Sequence, residues 1–198
     1  MEIKLNNVNY NIDNKEVFKN LNISFNDNTI TGIIGPVGSG KSILLELIAN
    51  IREFDSGVIE LGNIIINGKI HKKDAHKIQK EVGILFQSAY DQVYNLTVKK
   101  ELLLSLSDLK LSKDEMIDRI KEALKLVELD ESYIDKNPFD LSQSELKKIS
   151  IAGVLIRKPK LLLLDEPTTG FDASNKKMLI NLLKILRKKE KVTTIIIS

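Results

Sequence analysis

The chain has 198 residues, of which 42% are hydrophobic and 29% charged, and its formal net charge is +3. This describes an ordinary globule, large enough for one α/β domain with an inserted subdomain. A small charge, lysines set beside glutamates along helical stretches and an aromatic content of 5% argue against a nucleic-acid surface. No apolar run approaches the ~20 residues needed to span a bilayer, and the N-terminus shows no signal-peptide pattern. With no cysteine there are no disulfides or thiolate metal sites, which fits a reducing compartment.

Met1 to Asn28 reads as two strands and a turn. Ile3, Leu5, Val8 and Tyr10 come first, then the turn-rich Asp13-Asn14-Lys15, then Leu21, Ile23 and Phe25 alternating with polar residues. Alternation leaves one face wet and predicts an antiparallel sheet. Thr29 to Ile34 is a β-branched run that predicts a buried strand, and Ile43 to Ala49 carries apolar residues at helical spacing. Between them lie Gly35, Pro36, Val37, Gly38, Ser39, Gly40, Lys41 and Ser42. Strand, glycine loop and helix form the context in which G-x-x-x-x-G-K-[ST] cradles phosphate. Glycines let successive backbone N–H groups turn inward, and the helix N-terminus adds positive potential. Lys41 is expected to reach the β- and γ-phosphates, and the Ser42 hydroxyl to ligate Mg²⁺.

A second hairpin is expected from Gly57–Leu61 and Ile64–Ile66, closed by Asn67-Gly68. Val82 to Phe86 is a short apolar run ending in Gln87. From Leu96 to Lys158 the pattern is helical with no strand candidate. Capping boxes stand at Ser112–Glu115 and Ser142–Glu145, and Asn137-Pro138 makes a break. Helices without strands predict a subdomain inserted into the α/β core. Leu161-Leu162-Leu163-Leu164 predicts a strand buried on both faces, with Asp165 and Glu166 at its C-terminal end, where open parallel sheets bind ligands. Asp165 is expected to hold Mg²⁺ and Glu166 to orient or deprotonate the attacking water. A helix near Lys177–Lys189 and a buried strand over Val192–Ser198 follow.

The order Gly35–Ser42, Gln87, Leu141-Ser142, Asp165-Glu166-Pro167 and Asp172 resembles the ATP-binding cassette (ABC) ATPases across essentially the whole chain. The resemblance implies an α/β fold of the P-loop NTPase type, with a RecA-like parallel sheet core, an N-terminal antiparallel β subdomain and an inserted α-helical subdomain. It assigns 1–90 and 159–198 to the core and β subdomain and 91–158 to the helical subdomain. It implies ATP and Mg²⁺ as cofactors, Gln87 as a link from Mg²⁺ to the helical subdomain, Leu141–Glu145 as the signature and Asp172 as the D-loop aspartate. More narrowly, Phe86 to Tyr94, Thr97-Val98 and Ile151-Ala152-Gly153-Val154-Leu155 look like the ATPase subunits of energy-coupling factor (ECF) transporters, which import vitamins and metal ions. The implied partners are a second ABC ATPase subunit, a transmembrane subunit and a substrate-binding membrane component. The implied place is the cytoplasmic face of the membrane. A helix of the transmembrane partner is expected near Gln87–Leu102, with Tyr90, Asp91 and Tyr94 as contacts.

Four features depart from the family pattern. The signature, normally Leu-Ser-Gly-Gly-Gln, reads Leu141-Ser142-Gln143-Ser144-Glu145, which replaces two glycines and puts a carboxylate where a γ-phosphate is expected. Ile43 stands where a threonine usually contacts the α-phosphate. The adenine-stacking aromatic falls on Ile12, with Tyr10 two residues away on the same strand face. The switch histidine is expected beyond Ser198, and His71 and His76 are expected on the surface. Three functions remain: the motor subunit of an importer, a nucleotide-binding partner that hydrolyses poorly in a heterodimer, and a non-transport ABC ATPase. The interval from Lys41 to Asp165 has no room for the long coiled coils of repair proteins in that last group.

Overall fold

A computed structural model describes all residues except 14, 69 and 89–92. It divides into two compact units. The first comprises Met1–Ile84, Lys160–Asp165 and Leu186–Ser198, and the second Leu85–Pro159 and Glu166–Ile185.

The first unit begins with strands β1 (Ile3–Ile12) and β2 (Lys15–Phe25), joined antiparallel as the alternation predicts. The register shifts between Leu5 and Val8, where Asn7 takes a φ of 51°. This bulge explains the uneven spacing of the apolar residues: one extra residue returns Val8 to the core face already used by Ile3 and Leu5. Strands β3 (Ile30–Ile33), β4 (Ser56–Leu61) and β5 (Ile64–Ile66), with helix α1 (Lys41–Ile48), come next. The turn between β4 and β5 lies at Gly62-Asn63, not at Asn67-Gly68, which follows β5. The order of this antiparallel sheet is β2-β1-β4-β5.

Helix α2 (Lys72–Glu81) has no counterpart in the hydrophobic pattern, because Ile78 is its one buried residue. It leads into β6 (Val82–Leu85). Further along the chain come β7 (Leu161–Asp165), helix α6 (Ala173–Glu190), most of which belongs to the second unit, and β8 (Thr193–Ile197). The second sheet has the order β3-β8-β7-β6, with β8 parallel to both β3 and β7. Every residue of β7 is buried, as expected for a central strand covered on both faces. One continuous apolar cluster joins Ile3, Leu5 and Ile59 of the antiparallel sheet, Leu44 to Ile48 of α1, and Leu161, Leu163, Ile195 and Ile197 of the parallel sheet.

The second unit is helical: α3 (Val98–Leu104), α4 (Lys113–Leu126) and α5 (Gln143–Leu155), with short 3₁₀ turns at Glu131–Tyr133 and Pro138–Asp140. Leu102, Ile120, Leu124, Ile149 and Ala152 fill its interior. Both predicted capping boxes are formed, at the starts of α4 and α5. Arg157 binds both carboxylate oxygens of Asp108, at 2.7 and 2.9 Å, and also donates to the Ser105 carbonyl.

Gly57 of β4 lies opposite the β1 bulge at φ 108°. A Cβ there would fall 2.6 Å from the Asn7 carbonyl oxygen and from Val8 Cα. Gly57→Ala therefore combines strained backbone with a clash against main chain. It is expected to lower unfolding free energy by about 3 kcal/mol in urea titrations.

Candidate functional site

In the first unit the glycine loop runs from the end of β3 into α1. Gly38 and Gly40 have φ of 80° and 88°, in the left-handed region that favours glycine. Gly40 is also enclosed, since a Cβ would lie 3.0 Å from Phe18 Cζ and Val17 Cγ1. The strand pair thus seats two half-buried side chains on the start of α1. At Gly35 a Cβ would lie 3.2 Å from Ser39 Oγ and 3.8 Å from Lys41 Cδ, so the loop is already filled on its inner side. Lys41 Nζ donates to the carbonyls of Gly35 (2.6 Å) and Pro36 (3.0 Å). Pro36, Val37, Ser39 and Ser42 are exposed. Ile43 packs partly against the core. Asp165 ends β7, paired beside Ile197 of β8, and is buried.

The adenine expectation needs correction at Tyr10. Its ring is 8% exposed and belongs to the core cluster, and its hydroxyl accepts from Arg52 Nη1 at 3.3 Å. It has no free face to offer. Its cross-strand partner is Phe18, and a register shift directly after Tyr10 carries Ile12 to a half-buried position. Sequence spacing passed over Phe18 because it lies on the second strand, within an ordinary alternating pattern.

In the second unit Glu166 takes a φ of 43°, a conformation that costs a non-glycine residue about 1–2 kcal/mol. Its Oε2 accepts from Gln87 Nε2 at 3.0 Å and from Thr169 Oγ1 at 3.1 Å. The Gln87 carbonyl accepts from Lys147 Nζ at 2.8 Å. Lys147, on α5, is 3% exposed and carried no signal in the sequence. Asp172 is exposed and its Oδ1 accepts from Asn175 N at 2.8 Å, at the start of α6.

The signature residues are turned onto their own chain. A Cβ on Gly170 would lie 3.3 Å from the Gln143 amide group. Ser144 Oγ accepts from Asn175 Nδ2 at 2.9 Å. Ser142 caps α5, and Glu145 Oε2 accepts from both its backbone N–H (2.9 Å) and its hydroxyl (2.6 Å). The Tyr133 hydroxyl donates to Glu145 Oε1 at 2.5 Å. These donors hold the Glu145 carboxyl down to about 2 from its ordinary 4.5, the Ser142 hydroxyl contributing most and Tyr133 next. Of the residues expected at a partner's docking surface, Tyr94 is 75% exposed, while Tyr90 and Asp91 lie outside the described residues.

A parallel sheet whose first strand runs through a glycine loop into a helix, with a carboxylate closing the strand two places along, defines a P-loop NTPase. The model of the ABC transporter family matches residues 18–169, and the chain belongs to that family. It is 36% identical over 204 residues to the energy-coupling factor transporter ATP-binding protein EcfA2 of Caldanaerobacter subterraneus, covering all of this chain and 70% of that protein. EcfA2 of Streptococcus thermophilus is 35% identical over 191 residues, covering 94% of this chain and 68% of its own. Among solved structures, cbiO1 from Clostridium perfringens, described as part of the ABC transporter complex cbiONQ, superposes with a TM-score of 0.86 at 32% identity. The match covers 99% of this chain and 77% of that one. The dimeric bacterial ABC transporter cassette MJ0796 gives 0.89 at 28% identity, over 99% and 87% of the two chains.

Because the Glu145 carboxyl has a lower pKa folded than unfolded, it contributes stability that is full above about pH 4.5. That contribution is lost as pH falls toward about 2. Glu145→Gln removes it. The stability difference between wild type and Glu145→Gln, followed by denaturant titration at several pH values, is expected to shrink steadily below about pH 4.5.

Proposed function

We propose that this chain is the ATP-binding subunit of an ABC importer of the ECF type, acting at the cytoplasmic face of the membrane and coupling ATP binding and hydrolysis to uptake of a vitamin or metal ion. The observation that carries the reading is the glycine loop, a cradle with an ammonium at its centre, in a chain of this family. The cradle suits a polyphosphate. Its glycines hold backbone that side chains rarely adopt, the first turn of α1 supplies N–H groups with no helical partner, and Lys41 already bonds to loop oxygens that a phosphate oxygen can replace.

In this reading Lys41 exchanges the Gly35 and Pro36 carbonyls for β- and γ-phosphate oxygens, while the backbone of residues 35–42 holds the chain of phosphates. Ser42, Asp165 and Gln87 are the residues that would hold Mg²⁺, which supplies charge neutralisation at the transferring phosphoryl group. Glu166 orients the attacking water and takes its proton as the bond to the β–γ bridging oxygen breaks. Its links to Gln87 and Thr169 give it a defined starting position. Val17 and Phe18, beside Gly40, offer the apolar surface for adenine that Tyr10 does not. Tyr94 and Leu96, both largely exposed, form part of the docking surface for the transmembrane partner. Among the described residues no helix is long and apolar enough to cross a membrane.

The partner cassette is a different chain. In this family two cassettes meet head to tail, and each signature faces the other's nucleotide. Glu145 brings a full negative charge to that place. In a water-poor interface, repulsion from a γ-phosphate costs a few kcal/mol, of order 3. A homodimer carries this fault twice. Beside a cassette with an intact signature, the site built on Lys41 and Glu166 is complete and the opposite one is impaired, so this chain need not be the less active partner.

Lys41→Ala is expected to weaken Mg-ATP binding at least about tenfold by calorimetry, since hydrogen bonds to charged groups are the strong ones. Equal affinity in both proteins rejects the phosphate assignment. In the complex with the partner cassette, Glu166→Gln should remove most ATP turnover, whereas Glu145→Gln should leave it or raise it. Brisk turnover by a homodimer of the unaltered chain rejects the asymmetric arrangement.

A further inference from the structure

The start of α5 carries two bonds more than a capping box needs. The helix α4 opens with the same box, in which Glu115 accepts from Ser112 N at 2.7 Å and Glu115 N donates to Ser112 Oγ at 3.2 Å. At α5 the box is repeated, the Ser142 hydroxyl also donates to Glu145 Oε2, and Tyr133 is added from the earlier 3₁₀ turn Glu131–Tyr133. Tyr133 is itself fixed. Asp130 caps its turn by accepting from Ser132 N at 2.8 Å, and Lys136 Nζ stands 3.4 Å from the centre of the ring, an attractive cation–π position.

We propose that Tyr133 is a positioning residue that holds Glu145 over the Ser142 hydroxyl, so that the signature serine meets a partner cassette's nucleotide only when this latch opens. The argument is a proton count. A serine hydroxyl has one proton, and here it goes to Glu145 Oε2 at 2.6 Å. A phosphate oxygen can only accept, so Ser142 has nothing to donate while Glu145 stays in place. Glu145 is in turn gripped at both oxygens, Oε2 by Ser142 and Oε1 by Tyr133. With its carboxyl held near 2, Glu145 does not let go by taking up a proton at neutral pH, and the latch opens only by conformational competition. Tyr133 keeps its own proton, because its hydrogen bond to Glu145, then burial and the charge of its neighbour, push its pKa up. This inference rests on the reading of the chain as one cassette of an ABC dimer.

The test uses the native polypeptide with its partner cassette, in a Glu166→Gln background that slows hydrolysis, and follows ATP-driven association by sedimentation. Glu145→Gln is expected to strengthen association about tenfold and Tyr133→Phe about threefold, with the double variant no stronger than Glu145→Gln alone. Calorimetric ATP affinity of the separated chain, which reads the loop around Lys41, should be the same in all variants. A structural defect would not produce this split. If Glu145→Gln strengthens association and Tyr133→Phe does not, or if the two effects simply add, the latch is overturned and the cassette reading stands. If ATP binds but drives no association in any variant, including Glu145→Gln, the cassette-dimer reading itself fails and takes the latch with it.

Discussion

Gly40 has a φ of 88° and no room for a side chain, because Val17 and Phe18 already occupy the space where a Cβ would stand. That contact is where the antiparallel sheet meets the first turn of α1. It requires β2 to cross just there, in the register that the shifts along β1 set. It also starts the helix immediately at Lys41, so that the lysine stem folds back over the loop it has just left. From α1 the buried face Leu44 to Ile48 continues into the cluster that joins both sheets. The loop is held in shape by the core beneath it.

The second unit solves a different problem. Its signature has lost the glycines that let backbone approach a neighbour, and the side chains gained have been absorbed locally: Gln143 over Gly170, Ser144 onto Asn175, Glu145 between Ser142 and Tyr133. Ser144 and Glu145, both half-buried, find their partners within their own unit, as such polar groups generally do. The resulting surface is stable by itself, which is not the same as being ready to receive a nucleotide.

Much of this was legible in the sequence. Four consecutive leucines announced the buried strand β7, alternation announced the antiparallel pair, and the Ser142–Glu145 spacing announced a box that closes. What escaped did so for local reasons. Helix α2 buries a single residue and so carries no periodicity. Two glycine–asparagine pairs compete for the turn after β4, and the chain uses Gly62-Asn63. Tyr10 looked available because a bulge cannot be seen in a list of alternating residues. Lys147 and Tyr133 were invisible because a buried ammonium and a contact across twelve residues leave no mark on spacing.

The bond from Asn175 to Ser144 has a consequence for how this sequence can change. Restoring glycine at 144 removes the acceptor and leaves the Asn175 amide to find another, while restoring glycine at 143 uncovers Gly170. Positions 144 and 175 share one hydrogen bond, so replacements at the two are expected to couple, and the order in which they are exchanged sets which group is left without its partner.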